Sequence, residues 1–276
     1  MQGTLFIVAT PIGNLEDITY RAVRILSECD VIACEDTRQT RKLLDHLKIN
    51  RPTLSLHEHN EEERIQEILD RVREGQKVAL VSDAGTPLIS DPGYRLVLEA
   101  TEQAVPVVPI PGVSALTTAL SAAGLPTDSF YFGGFLPVKK GQRRSELEVR
   151  QDEPCTLIYY EAPHRILEAL EDIAEVMPHR PVVVARELTK VYEEFLRGSA
   201  SGISAILQER PAIKGEITLL LGKPSRKDPL SVDEDQIRSA VTSLIATGAS
   251  KKDAIKAVAK ELKVPKAKIY QYFTGE

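Results

Sequence analysis

Between Leu5 and Ile110, short β-branched runs alternate with helical patterns, and this alternation constrains the fold more than any single motif. Leu5–Ala9, Val31–Cys34, Thr53–Leu56, Val78–Val81 and Val105–Ile110 read as strands. Tyr20–Glu28, Thr37–Leu47, Glu61–Glu74 and Tyr94–Gln103 read as helices, and in the third the apolar Ile65, Ile68, Leu69 and Val72 recur at spacings of three and four. A β-α-β-α succession predicts a mostly parallel sheet with helices on both faces. After Pro109–Gly112 the pattern changes. Val113–Ala123 reads as a small-residue helix closed by Gly124 and Pro126, and a second set of strands follows at Phe130–Phe135, Thr156–Tyr160, Val182–Ala185, Tyr192–Arg197 and Glu216–Leu221. Helices at Arg143–Arg150, Arg165–Val176 and Gly202–Gln208 separate some of them. Strands on both sides of Gly198–Ser201 predict a mixed sheet. The expected organisation is an α/β domain over 1–112, a second α/β domain over 113–224 and a linker with helical extension over 225–276, with a ligand cleft between the first two.

The 276 residues carry a formal net charge of −5, which by itself does not announce a nucleic-acid binder. The charge is uneven. Arg38, Arg41 and Lys42 form one basic cluster, Lys139, Lys140, Arg143 and Arg144 a second, and 251–276 holds seven lysines against Asp253, Glu261 and Glu276. Three such clusters on an acidic chain favour a polyanionic substrate. In the extension, Ser250 stands at the N-cap of Lys251–Leu262 with Asp253 at the third helical position, and Pro265 precedes a last helix at Lys266–Phe273. A helix-turn-helix presenting Lys266, Lys268, Tyr270 and Gln271 and a plain helical hairpin fit this pattern equally well. No apolar run is long enough to span a bilayer, and the first residues lack a basic stretch before their apolar run, so a cytoplasmic protein is expected. Cys29, Cys34 and Cys155 form no metal-type pair, and His57 and His59 flank Glu58 in what reads as a polar strand end; no metal is expected.

The strand ends carry the chemistry. The chain lacks a P-loop, a dinucleotide-binding glycine fingerprint and a hydrolase nucleophile elbow. It has instead a set of small-residue loops: TPIGN, SDAGTPLISDPG, PIPGVSA, GGFLP and YYEAPHR. Such loops expose backbone amides and carbonyls with few side chains in the way. They suit a neutral aromatic ring and a zwitterionic tail better than a triphosphate, which calls for Lys, Arg or Mg²⁺ ligands.

TPIGNLEDIT, CEDTR at Cys34–Arg38, SDAGTPLISDPG, PGVSALTTALSAAGLP, YYEAPHR, RELTKVYEE and KGEITLL occur in that order over about residues 1–225. Together they resemble the tetrapyrrole-methylase-like, class III S-adenosylmethionine-dependent methyltransferases, and more narrowly the bacterial ribosomal RNA small subunit methyltransferase I group. Thr10–Asn14 and Asp83–Pro87 depart from the glycine-rich opening and G-D-P loop of the corrin and sirohaem methylases. The resemblance implies S-adenosylmethionine as cofactor and 2′-O-methylation of a decoding-centre cytidine in 16S rRNA, within a small-subunit particle. It also implies a homodimer. A tetrapyrrole methyltransferase and a non-catalytic ribosome-binding protein are the alternatives. By resemblance, cofactor contacts map to Pro11, Asp83, Ala84, Gly85, Pro111, Ser114, Ala115, Phe135, Tyr160, Ala162, Leu188 and Gly215. Methyl transfer to a hydroxyl needs a proton acceptor. Glu187 is the candidate base with Lys190 as an electrostatic aid, and Glu161 offers a further carboxylate. Ion pairs from Arg186 or Lys190 to Glu193 or Glu194 are the structural alternative for that cluster.

Overall fold

The computed structural model describes residues 3–57, 60–224 and 234–262, with Lys266, Ile269, Tyr270 and Phe273 beyond them. Residues 3–223 form one unit and the helical residues from 234 onward a second.

In the first sheet all strands run parallel, in the order β3 (Thr53–Ser55), β2 (Val31–Cys34), β4 (Lys77–Val81), β1 (Thr4–Val8), β5 (Val107–Ile110). The helices are α1 (Tyr20–Glu28), α2 (Thr37–His46), α3 (Glu61–Arg73) and α4 (Tyr94–Glu102). The central strands are apolar throughout because both faces are covered. The pleat divides them. Val31, Ala33, Val78 and Leu80 pack with the Ile65–Val72 stripe of α3 and with Leu96 of α4. Ile32, Cys34, Ala79 and Val81 pack with Ala22, Ile25 and Leu26 of α1 and Leu44 of α2. Thr19 caps α1 by accepting from the Ala22 amide, and Asp36 caps α2 by accepting from the Arg38 amide.

The chain changes sheets between Ile110 and α5 (Ala115–Ala123), a helix two residues shorter at its start than the pattern predicts because Val113 and Ser114 remain extended or non-helical. The second sheet has the order β6 (Phe130–Phe135), β7 (Thr156–Glu161), β10 (Ile217–Leu221), β8 (Val182–Arg186), β9 (Glu194–Gly198). Only β6 and β7 run parallel, so the sheet is mixed, as expected. α5 covers one face through Ala119, Leu120 and Ala123. Leu147 of α6 (Lys140–Arg150), Leu170 of α7 (Ile166–Val176) and Ile203 of α8 (Ala200–Gln208) lie in the core on the other. β9 starts two residues later than predicted, since Tyr192 stands exposed on the preceding turn.

In the second unit, α9 (Glu234–Ala246) and α10 (Lys251–Glu261) pack through Ile237, Val241, Ile255 and Val258, with Ile269 also buried. Ser250 caps α10, accepting from the Asp253 amide at 3.2 Å. Lys266 and Tyr270 are exposed. Most of the expected linker, the turn with Pro265, and Lys268 and Gln271 lie outside the described residues, as does His59. Among the described residues no helix is long and apolar enough to cross a membrane.

Candidate active site

The loops after β1 and β4 are stitched together at their bases. The Thr10 amide donates to Gly85 O at 2.8 Å, the Gly85 amide returns to Thr10 O at 2.9 Å, and Thr10 Oγ1 donates to Ser82 O at 3.1 Å. Gly85 has φ +84°, and a Cβ there would come to 3.3 Å from Ile12 and narrow the space in front of it. Thr86 Oγ1 then reaches Val113 O at 2.9 Å, tying the loop to the start of α5. Leu88 and Ser90 both take left-handed backbone, with φ of 72° and 69°. Non-glycine residues hold that conformation at a cost of about 1–3 kcal/mol each, which marks the segment as shaped for a purpose other than stability.

These loops form one wall of a cavity of about 350 Å³, within the range of small-molecule sites. The opposite wall comes from the ends of β7 and β10. Tyr160 is fastened there: its hydroxyl bonds the Ser114 side chain and accepts the Leu116 amide, while burial pushes its pKa up. Ser114 precedes α5 but makes no side-chain capping bond, so its hydroxyl serves Tyr160 instead. Phe135 packs edge-on against Tyr160 with ring centroids 5.6 Å apart, and is itself exposed.

Asp91 and Glu161 belong to the cavity lining from opposite sheets, but the Glu161 carboxyl itself is buried away from the open space. Burial pushes Asp91 up to about 6, helped by the nearby Glu35 and Asp83, although the Ser82 side chain bonds it. Glu161 is buried at the end of β7; its Oε1 accepts from the Ala162 amide at 2.7 Å and from Arg165 at 2.6 Å. Burial is the largest influence on Glu161 and raises its pKa against those bonds.

The expected catalytic pair sits elsewhere. Lys190 Nζ donates to Glu187 Oε1 at 2.8 Å and to Glu216 Oε2 at 3.0 Å, and Glu187 Oε1 also accepts the Glu216 amide at 3.1 Å. The Lys190 bond holds Glu187 below the usual carboxylate range. Neither side chain lines the cavity. Lys190 lies instead against the TPIGN loop, where a Cβ on Gly13 would run into its stem, and Thr189 Oγ1 accepts the Asn14 amide at 3.1 Å. Glu187 and Lys190 thus form a clamp between the two lobes of the unit, next to the cavity-lining Gly215 and Glu216 rather than in the lining itself. The structural alternative is half right. Arg186 pairs with Glu194, which Arg210 also holds, whereas Lys190 reaches neither Glu193 nor Glu194.

Over residues 4–204 the chain matches the family model of the Tetrapyrrole (Corrin/Porphyrin) Methylases. The ribosomal RNA small subunit methyltransferase I of Halalkalibacterium halodurans is 49% identical over 279 residues, covering 100% of this chain and 96% of that protein. The chain belongs to the ribosomal RNA small subunit methyltransferase I family. A further protein of that name, from Synechocystis, is 46% identical over 98% of this chain and 96% of its own. The family's fold is shared by diphthine synthase, at a TM-score of 0.63 and 15% identity over 80% of this chain and 90% of that one. It is shared too by the uroporphyrin-III C-methyltransferase of Thermus thermophilus solved with S-adenosyl homocysteine, at a TM-score of 0.57 and 20% identity over 81% and 99%. S-adenosylmethionine is the cofactor of this methyltransferase I family.

Of the twelve cofactor contacts that resemblance to the family maps onto this chain, Ala84, Gly85, Ser114, Ala115, Phe135, Tyr160, Ala162, Leu188 and Gly215 line the cavity. Pro11, Asp83 and Pro111 do not. Pro11 is buried and Pro111 exposed beyond β5, while Asp83 accepts the Asp36 amide at 3.2 Å and so braces the CEDTR segment. Ile12, Asp91, Glu216 and Thr218 line the cavity without having been singled out as contacts. The register of β10 against β7, which sets Thr218 opposite Tyr160, brings in the last of these.

The basic clusters fare unevenly. Arg143 is 1% exposed; its Nε donates to the fully buried Asp172 at 2.7 Å, and it pairs with Glu168 at 3.3 Å. It is a core ion pair and no RNA contact, a correction forced by burial. Arg144 is tied to Glu175, and Arg38 to Asp36 at 2.9 Å. Lys42, Lys139, Lys140 and Lys266 are exposed and Arg41 half-buried.

Proposed function

We propose that the chain transfers a methyl group from S-adenosylmethionine to the ribose 2′-oxygen of a cytidine in the decoding centre of 16S rRNA, with the small-subunit particle as substrate. The observation that carries this is the likeness to ribosomal RNA small subunit methyltransferase I along 100% of the chain, basic C-terminal helices included. The Asp83–Pro87 sequence supports it by departing from the tetrapyrrole form.

The cavity suits the cofactor. Its small residues Ala84, Gly85, Ala115 and Ala162 leave room for a flat ring against backbone, Ile12 and Leu188 supply apolar contact, and the Asp91 carboxyl can accept from hydroxyl or ammonium donors. The bound cofactor supplies an electrophilic sulfonium methyl. What remains for the protein is to hold a ribose oxygen in line with it, which accounts for much of the rate, and to take up the hydroxyl proton. The exposed Phe135 lines the cavity at the end of β6, and exposed lysines follow it at 139 and 140, which suits the approach of a polyanion.

The test is ribose-methylation mapping of small-subunit rRNA from cells with and without the gene, followed by methylation of the unmodified particle by purified protein. A ribose methyl that disappears with the gene and returns with the protein supports the reading; an unchanged map refutes it. Binding to the particle should weaken steeply with salt, as a tetrapyrrole carboxylate would not.

A further inference from the structure

Strand β6 breaks its own alternation where it reaches the cavity. Phe132 stands opposite Ile158 and Phe135 opposite Tyr160, so three steps along β6 match two along β7, and the extra residue makes a bulge at Gly133 and Gly134. The bulge decides which face Phe135 takes. In an unbroken strand residues three apart point to opposite faces, whereas Phe132 and Phe135 both lie edge-on against the Tyr160 ring, at centroid distances of 5.0 and 5.6 Å. Both glycines are needed for this. A Cβ on Gly133 would run into the Tyr159 ring, and Gly134 has φ +65°. The bulge also meets the loop of the other lobe: Ser90 Oγ lies 3.5 Å from where a Cβ on Gly134 would stand, and Ser90 is itself in left-handed backbone. Two unusual backbone segments thus abut at the edge of the cavity, as they do at ligand clamps. Beside them, Phe135 and Ile89 line the cavity while remaining 55% and 38% exposed.

We propose that Phe135 is the stacking platform for the base of the nucleotide whose ribose is methylated, with Ile89 as a second apolar contact. The assignment rests on the proposed function and adds to it the part of the site that holds the substrate. Resemblance to the family maps Phe135 to the cofactor, but exposure sets it apart from the enclosed lining. Ile12, Gly85, Leu188 and Thr218 line the cavity and are buried, whereas Phe135 is more than half open to solvent. A small cofactor fits the enclosed part; a base carried by a large RNA enters only from the open side. Single-stranded bases are held in this way by aromatic rings, and the stacking tolerates any base because each has a flat apolar face. Tyr160 is not available for it, since its hydroxyl is tied to the Ser114 side chain and the Leu116 amide; it serves instead as a fixed backing for Phe135. The exposed Lys139 and Lys140 follow within five residues and supply positive charge for the phosphates, although Lys140 also lies 3.9 Å from Asp172. A base fixed on Phe135 brings its ribose with it, and placing the ribose oxygen in line with the methyl group is what the reaction most needs.

The test compares wild type with Phe135→Ala, Phe135→Leu and Phe135→Trp in single-turnover methylation of the unmodified small-subunit particle. Particle concentration is varied at saturating S-adenosylmethionine, and calorimetric binding of S-adenosylhomocysteine is the second readout. Loss of the stacked base is expected to lower the second-order rate constant of Phe135→Ala by roughly 5- to 150-fold. Phe135→Leu keeps bulk but no flat face and should fall nearly as far, while Phe135→Trp should stay within about threefold of wild type. All three should bind S-adenosylhomocysteine within about threefold of wild type, because the side chain exchanged is an exposed one. A wild-type rate constant in Phe135→Ala, or a Phe135→Leu protein as fast as Phe135→Trp, would overturn the assignment. A loss of S-adenosylhomocysteine affinity in Phe135→Ala that matches its loss of rate would make Phe135 a cofactor contact and overturn it equally. A wild-type protein that binds S-adenosylhomocysteine yet methylates no ribose of the particle would overturn the proposed function itself, and the stacking role with it.

Discussion

Replacing Arg143 by alanine separates two meanings of the basic stretch at Lys139–Arg144. Arg143 is 1% exposed and Asp172 is 0% exposed, with Nε to Oδ2 at 2.7 Å and Nη1 to Val138 O at 3.3 Å. Removing the guanidinium strands a buried carboxylate, which typically costs about 3–5 kcal/mol. Lys140 and Arg144 approach Asp172 Oδ1 at 3.9 and 3.6 Å and compensate in part, so the lower end, about 3 kcal/mol, applies. In a unit of this size each kcal/mol shifts the melting temperature by about 2–4 °C, giving a fall of roughly 6–12 °C. Scanning fluorimetry reads this directly, and Arg143→Met combined with Asp172→Leu should recover most of it, because an apolar pair leaves no charge to desolvate. Affinity for the ribosomal particle, measured well below the transition, should match wild type. An Arg143→Ala protein that melts normally but binds the particle more weakly would refute the reasoning.

Asp91, raised to about 6, is protonated below that pH, so if it accepts from the cofactor then S-adenosylhomocysteine affinity should rise between about pH 5 and 7 in wild type and stay flat in Asp91→Asn by calorimetry. Glu194 is held at about 2, first by Arg210 and then by Arg186; a depressed carboxylate stabilises the fold above its unfolded pKa and loses that contribution as pH falls toward 2. Glu194→Gln should therefore flatten the acid limb of the stability curve followed by circular dichroism. Gly215 has φ +93° and a Cβ there would strike the Glu187 side chain, so Gly215→Ala should cost about 1–3 kcal/mol in denaturant unfolding.

The elements whose signals are local were legible in the sequence. Tyr20–Glu28 and Val31–Cys34 have the bounds their patterns predict, because a capping Thr19 and an uninterrupted apolar run decide them within a few residues. The loops after β1 and β4 stood out as candidate ligand loops because glycine and proline there leave backbone open, although the same residues also close ordinary strand-to-helix turns. What escaped was long-range. Arg143 reads as surface beside Arg144, and only Asp172, 29 residues on, shows it to be core. Thr218 enters the cavity through an antiparallel register that β10's own residues do not encode. Glu187 and Lys190 suggest catalysis by composition, but the packing of their segment against a loop some 175 residues earlier, the separation between Asn14 and Thr189, is not visible there.

The placement of β1 bears on how the chain is made. β1 lies inside its sheet between β4 and β5, and runs on into the loop that floors the cavity. It leaves the ribosome first, yet its partners begin only at Lys77 and Val107. At roughly 5–20 residues per second, this apolar segment waits on the order of 4–15 s for its first neighbour strand and longer for its second. The nascent protein therefore passes through a stage in which an interior strand has no sheet to join, and that stage is where a chaperone would hold it and where a slowed codon or a bulky amino-terminal fusion would do the most harm.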